Sequence, residues 1–284
     1  MNKIVQRLIV FFIGFPILLL AVFFLPHHNH LFLNLAIIVF SVLGAVEYRS
    51  IIRIKTLVTS IPEAVILGGA CPAAVTIAVS FGITQATIPL VLVLGAFWVL
   101  TSRIFNNKDN FVSFINSTAA GIAVMIYPGL FVSFIIQMAL FPKPEIVIAV
   151  FILVVFLNDA AAWLFGLLFG KGNRGIIAAS PNKSIAGFIG GLVISVGTGI
   201  FAGAFFPEAF TSKIMPSVPA AALLGLCAGI AAILGDLGES AIKRSAEVKD
   251  SGTLIMGRGG ALDSIDSMAL AAPVYYFIYL LLFI

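Results

Sequence analysis

Apolar residues run in long blocks along this chain, and polar residues fall in the short stretches between them. The blocks cover residues 4–25, 31–46, 61–80, 87–102, 111–140, 146–169, 185–206, 217–237 and 266–284. A run of about 20 apolar residues spans a bilayer as a helix, which satisfies its own backbone hydrogen bonds in lipid. Strands of a membrane barrel would alternate polar and apolar residues, and these blocks do not. The predicted fold class is all-α, a polytopic integral membrane protein with about nine transmembrane helices. The second and fourth runs are short, and Pro128 predicts a kink in the long fifth. The first run leads into Phe23, Phe24, Leu25 and Pro26 with no small-residue cleavage site, so it reads as a retained span and not a leader. The expected organisation is a single membrane domain, 1–284, with N-terminal spans over 1–140 and a catalytic half over 146–284.

Composition agrees. The chain has 284 residues, of which 61% are hydrophobic and 10% charged, against roughly 25% charged in soluble domains. No separate soluble domain is visible. The formal net charge is +4. With the N-terminus in the cytoplasm, every Lys and Arg except Lys143 and Lys213 falls on the cytoplasmic side, as the positive-inside rule requires. The C-terminus then lies outside. Inward-facing bases suit anionic lipid headgroups and nucleotides, so nucleic acid is not an expected partner. Cys71 and Cys227 sit inside apolar runs without metal-ligand spacing and read as small hydrophobes. His27, His28 and His30 lie in a short external loop and read as solvated.

The polar segment from Gly235 to Ser267 stands out in so oily a chain. It carries six acids (Asp236, Glu239, Glu247, Asp250, Asp263, Asp266) and four bases (Lys243, Arg244, Lys249, Arg258). Acids for a divalent metal and bases for phosphates, gathered at a membrane surface, suggest phosphoryl chemistry on a lipid. Asp236 ends an apolar run, where an ionisable group is costly and is a functional candidate by default. If its helix continues, Glu239 and Lys243 share its face. Asp263 and Asp266 open the last span at i, i+3. Gly257, Gly259 and Gly260 let backbone N–H groups approach an anion closely. Ser180, Asn182, Lys183 and Ser184 precede a helix start that forms a natural phosphate site. Gly187, Gly190 and Gly191 in that helix suit close packing. Asn158 and Asp159, in the sixth span, read either as a helix–helix hydrogen bond or as part of the site.

These motifs resemble those of the CDP-diacylglycerol synthase (phosphatidate cytidylyltransferase) family. The likeness rests on Asn158-Asp159 with Gly166 and Gly170-Lys171, and on Ser180-Pro181-Asn182-Lys183-Ser184 with the following glycines. It continues through Gly235-Asp236, Glu239-Ser240, Lys243-Arg244, Lys249-Asp250, Gly252, Gly257, Gly259-Gly260, Asp263 and Asp266-Ser267. Arg7 and Glu47-Tyr48 extend it weakly over most of the chain. The chain departs from the family pattern at Arg258, usually His, at Ser264, usually Arg, and at Ala186, usually Glu.

The resemblance implies transfer of CMP from CTP to phosphatidate, giving CDP-diacylglycerol and pyrophosphate, at the cytoplasmic face of a cell membrane. It implies Mg²⁺ on Asp236 and Asp263, with Asp159 and Glu239 as further ligands and a second cation admitted. Lys183, Lys243, Arg244 and Lys249 are expected on phosphates, with Ser180, Asn182, Ser184 and Asp250 in the same binding set. Arg258 is expected to supply the positive charge that Ser264 lacks. Expected partners are CTP, phosphatidate and membrane lipids, and a homodimer is compatible with the chain. The competing readings are a CTP-dependent polyprenol or phytol kinase, a CDP-archaeol synthase, and a transporter with Asn158-Asp159 on an ion path.

Overall fold

A computed structural model describes residues 10–53, 60–84, 86–105, 111–254 and 259–284. After a π-helical turn at Val10–Gly14, the helices in chain order are α1 (Phe15–Phe24), α2 (His27–Ile52), α3 (Ile61–Phe81), α4 (Thr87–Phe105) and α5 (Phe114–Val124). A π-helical segment, Met125–Phe131, joins α5 to α6 (Val132–Gln137) and a 3₁₀ turn at Met138–Leu140. Then come α7 (Pro144–Phe169), α8 (Ile185–Phe205), the short α9 (Pro207–Phe210), α10 (Ser217–Ser245) and α11 (Leu262–Phe283). Among the described residues, eight helical stretches are long and apolar enough to cross a membrane, and a shorter apolar one covers Phe12–Phe24. The chain is all-α and polytopic. It forms two compact units, one of Met1–Ile136 with Ile242–Ile265 and one of Gln137–Ala241 with Asp266–Ile284.

In unit 1 the ends of α3 are written in the sequence. Ser60 caps its N-terminus by accepting from the Glu63 N–H at 3.3 Å, and Gly82 ends it in the left-handed conformation, φ +66°. The fifth run is interrupted where Pro128 removes an N–H, and the chain takes the wider π turn there. Ser41 of α2, fully buried, lies 2.8 Å from the Gly68 carbonyl and 2.5 Å from that of Pro128. Gly68 and Gly129 allow the approach: a side chain on Gly68 would run into Ala45, and one on Gly129 would stand 3.0 Å from the Gly68 carbonyl. Apolar packing alone gives no preference for one contact over another in lipid, so small residues and buried hydroxyls fix the register.

The histidine loop departs from expectation. His28, Asn29 and His30 have φ of 52°, 54° and 59°, a left-handed turn before the right-handed part of α2 begins. His30 is buried, not solvated. The turn is held from α3, where Val79 accepts from Asn29 Nδ2 at 2.6 Å, and Ser80 donates to the His28 carbonyl at 3.2 Å. Cys71 is buried, as expected for a small hydrophobe, whereas Cys227 in unit 2 is only half-buried.

Unit 2 packs through glycine. Side chains on Gly187, Gly190 and Gly191 of α8 would meet Ala162, Phe165 and Asn158 of α7, so these glycines serve helix packing. Gly199 and Gly225 do the same between α8 and α10, facing the carbonyls of Ala221 and Ser195. Asn158 is fully buried and donates to Ser195 Oγ at 2.8 Å, which makes it an interhelical tie. Two fully buried tyrosines fix α11: Tyr275 donates to the Val147 carbonyl at 3.1 Å and Tyr279 to that of Ala209 at 2.5 Å.

One ion pair in unit 1 is largely buried: Arg103 and Glu63 approach to 3.1 Å with side chains 12% and 11% exposed. Removing one partner leaves an uncompensated charge, at a cost on the order of 3–5 kcal/mol. Arg103→Met is therefore expected to lower the thermal midpoint of purified protein markedly. The double variant Arg103→Met/Glu63→Leu should recover most of the loss. A single variant as stable as the parent would show that the pair contributes nothing.

Candidate active site

The acids of unit 2 come from three helices. Asp159 lies on α7, Asp236 and Glu239 one turn apart on α10, and Asp266 on α11. A side chain on Gly235 would strike the Asp266 carbonyl and approach Ser267 Cα to 3.2 Å. The α10 and α11 backbones therefore touch at this glycine, and the touch brings Asp236 beside Asp266. Asp266 lies within electrostatic reach of Asp236, Asp159 and Glu239. Ser267 donates toward the Asp159 carboxylate, 3.3 Å from Oδ2. Glu239 is fully buried, Asp236 half-buried. Lys183 forms an ion pair with Asp236.

Four expected residues, Asp159, Lys183, Asp236 and Glu239, thus gather in one unit, and Asp266 joins them. Like charges repel one another, and Lys183 offsets part of that charge at Asp236. Among the described residues, no three Asp, Glu, His or Cys side chains form a ready metal-chelating group.

The loop between α7 and α8 carries the Ser180–Ser184 motif. It is a closed turn: Arg174 donates to the Gly166 carbonyl at 2.9 Å, Asn173 to that of Phe169 at 3.0 Å, and Lys183 N–H to that of Ser180 at 3.1 Å. Asn182 is exposed and Ser180 half-buried. Ser184 is buried and caps α8, accepting from the Gly187 N–H at 3.1 Å. The N–H of Ile185 goes to the Asn173 carbonyl at 3.1 Å. The expected backbone phosphate site at this helix start is thus already filled by the protein's own acceptors, and the Lys183 side chain pairs with Asp236.

Unit 1 holds the second cluster. Lys243 donates to Asp263 Oδ1 at 2.6 Å. Asp263 Oδ2 accepts from the N–H groups of Ser251 at 3.0 Å and Gly260 at 2.7 Å. The metal role expected of Asp263 would require these donors to leave. Gly259 adopts φ +113°, and a side chain there would run into Asp263. The Gly260, Ala261 and Leu262 N–H groups all bond to carboxylates of this unit. The glycine loop is therefore not an open anion cradle at these positions. Arg244, Lys249 and Asp250 are exposed. Arg258 and Gly257 lie outside the described residues. Ser264, at the position where the family pattern has Arg, donates to the Gly260 carbonyl at 3.2 Å.

The profile of the cytidylyltransferase family matches residues 5–282. The chain belongs to this family. Among its relatives is a Synechocystis protein called phosphatidate cytidylyltransferase, 43% identical over 125 residues, which is 44% of this chain and 40% of the relative. Proteins of the same name from Chlamydia muridarum and Staphylococcus haemolyticus are 37% identical over 125 residues and 42% over 122. The aligned stretch is 44% of this chain and 40% of the Chlamydia relative, and 43% and 44% in the Staphylococcus case. The chain thus spans less than half the length of each of these relatives. The sequence reading preferred Asp263 to Asp266 as a metal ligand, gave Ser251 no role of its own and noted Glu47 without a role. The structure sets Asp266 within electrostatic reach of Asp236.

Ser184→Ala removes the α8 cap and is expected to cost about 1 kcal/mol of stability, read as a lower thermal midpoint. Ser184→Thr should also destabilise, because Gly166, Gly170 and Gly187 crowd that hydroxyl. A midpoint unchanged in the alanine variant would remove the capping role.

Proposed function

We propose that this protein transfers CMP from CTP to phosphatidate, giving CDP-diacylglycerol and pyrophosphate. The observation that carries the reading is the gathering of Asp159, Asp236, Glu239 and Asp266 beside Lys183, in a polytopic chain of the cytidylyltransferase family. Four carboxylates are hard oxygen donors of the kind Mg²⁺ takes, and their mutual repulsion favours a cation among them. Among the described residues no three of them form a ready chelate, but Mg²⁺ is usually held by only one or two carboxylates, with water and substrate phosphates completing its shell. We assign Asp236 and Asp266 as its principal holders, with Asp159 and Glu239 as further ones. Bound there, Mg²⁺ would neutralise phosphate charge.

The reaction needs little acid–base help. A phosphate monoester has a second pKa near ~6, so phosphatidate is largely a dianion at neutral pH. One of its oxygens forms a bond to the α-phosphorus of CTP, and the bond to the bridging oxygen of the β-phosphate breaks as pyrophosphate leaves. The protein has to hold two anions that repel each other in line and stabilise the departing charge. In unit 2 that falls to Lys183. In unit 1, Lys243, Arg244 and Lys249 carry charge for phosphates, and Arg258 is assigned with them. An arginine at that position stays protonated, which suits phosphate binding and not proton transfer. The distribution of bases supports a site facing the cytoplasm.

The test is product analysis with purified protein in detergent. CTP, phosphatidate and Mg²⁺ should give CDP-diacylglycerol and pyrophosphate in equal amounts. CDP and a phosphorylated lipid alcohol would instead identify a CTP-dependent kinase. Asp236→Asn is expected to lower turnover by roughly 10²- to 10³-fold while the protein elutes and melts like the parent. Turnover close to the parent would remove Asp236 from the site.

A further inference from the structure

Glu47 lies near the C-terminal end of α2 and is half-buried. Its carboxylate closes over the N-terminus of α11. Oε1 accepts the Ala261 N–H at 3.0 Å, and Oε2 accepts the Leu262 N–H at 2.9 Å. Oε2 is also 2.9 Å from Ser251 Oγ. A carboxylate at a helix N-terminus satisfies otherwise orphaned donors and opposes the positive end of the dipole. Here the acid comes from 214 residues away in sequence and does more than cap. Ser251 Oγ has one proton and stands between two carboxylates, since it is also 2.8 Å from Asp263 Oδ2. The chain of contacts therefore runs from Glu47 through Ser251 to Asp263, and from Asp263 to Lys243 at 2.6 Å.

The glycines of the loop give an independent reason to single out Glu47. A side chain on Gly260 would collide with Glu47 Oε2 and Ser251 Oγ, and one on Gly252 would stand 2.5 Å from Glu47 Oε1. Two glycines of the loop are small because this carboxylate passes between them. Glycines that read as a phosphate cradle in sequence thus make room for a side chain of the protein itself.

We propose that Glu47 is a positioning residue for CMP transfer. It anchors the loop between α10 and α11, and through Ser251 and Asp263 it fixes the Lys243 ammonium. It touches no reacting atom. The inference rests on the cytidylyltransferase reading, which gives Lys243 a substrate phosphate to hold. Displacing a phosphate-holding group by about 1 Å is enough to cost roughly 100-fold in rate.

The test is Glu47→Gln, which keeps the shape but puts an amide NH₂ where an acceptor is needed, with Ser251→Ala as the milder second variant. For Glu47→Gln, kcat should fall about 10- to 100-fold while the thermal midpoint moves by no more than a few degrees. Trypsin should cut after Lys249 faster than in the parent. The double variant should be little worse than Glu47→Gln alone, because both act through one chain of contacts. Unchanged kcat and unchanged cleavage would overturn the proposal. So would a lowered midpoint with normal kcat per folded molecule, which marks a purely structural cap. If the parent itself makes no CDP-diacylglycerol, the functional reading fails separately. Cleavage after Lys249 then decides alone: faster in Glu47→Gln keeps the anchor, unchanged removes it.

Discussion

Like charge at close range is the constraint on which the rest of unit 2 depends. Asp159, Asp236, Glu239 and Asp266 are carried by helices that are otherwise almost wholly apolar. A carboxylate on such a helix is costly to insert, and several together cost more. The fold brings them together nonetheless, through backbone contact. Gly235 lets α10 touch α11 beside Asp266, Gly225 and Gly199 close α10 on α8, and Gly187, Gly190 and Gly191 close α8 on α7. The glycines thus convert the weak lipid-phase attraction between helices into fixed positions for acids. A group assembled at this expense makes sense as a receptor for positive charge.

Unit 1 solves the opposite problem. Its loop between α10 and α11 begins beside bases and ends in a helix N-terminus, which together would attract any anion in reach. The protein supplies its own: Glu47 takes the Ala261 and Leu262 N–H groups, and Asp263 takes that of Gly260 and the Lys243 ammonium. The start of α8 is treated alike, with Ser184 and Asn173 as acceptors. In the proposed reaction, substrate phosphates are thereby left to side chains, Lys183 foremost in unit 2.

Much of this was legible in the sequence, for identifiable reasons. The spans were readable because apolar runs in a bilayer have a required length, whereas the left-handed turn at His28, Asn29 and His30 was hidden because polar residues there read as a solvated loop. Asp159 and Asp236 were readable because acids inside apolar runs are anomalous. Glu47 had no role in the sequence reading, because nothing local tells an acid near a helix end that its partners lie some two hundred residues away. The division of labour between Asp263 and Asp266 was also hidden. Three residues turn a helix by about 300°, leaving ~60° between the two side chains. That is enough for Asp263 to meet Lys243 and Ser251 while Asp266 meets other acids. Only the phase of the helix against its neighbours decides which acid goes where.

The central proposal, that the carboxylates of unit 2 form a divalent cation site, is most directly tested with Mn²⁺ as a paramagnetic stand-in for Mg²⁺. Purified protein would be titrated with Mn²⁺, with and without CTP, while free ion is followed by electron paramagnetic resonance. The expected result is a bound fraction saturating near about one to two ions per chain. It should be released by Mg²⁺ and lost in the Asp236→Asn/Asp266→Asn double variant of unchanged thermal midpoint. Equal binding by the parent and the double variant, or no binding by either at millimolar Mn²⁺, would contradict the proposal.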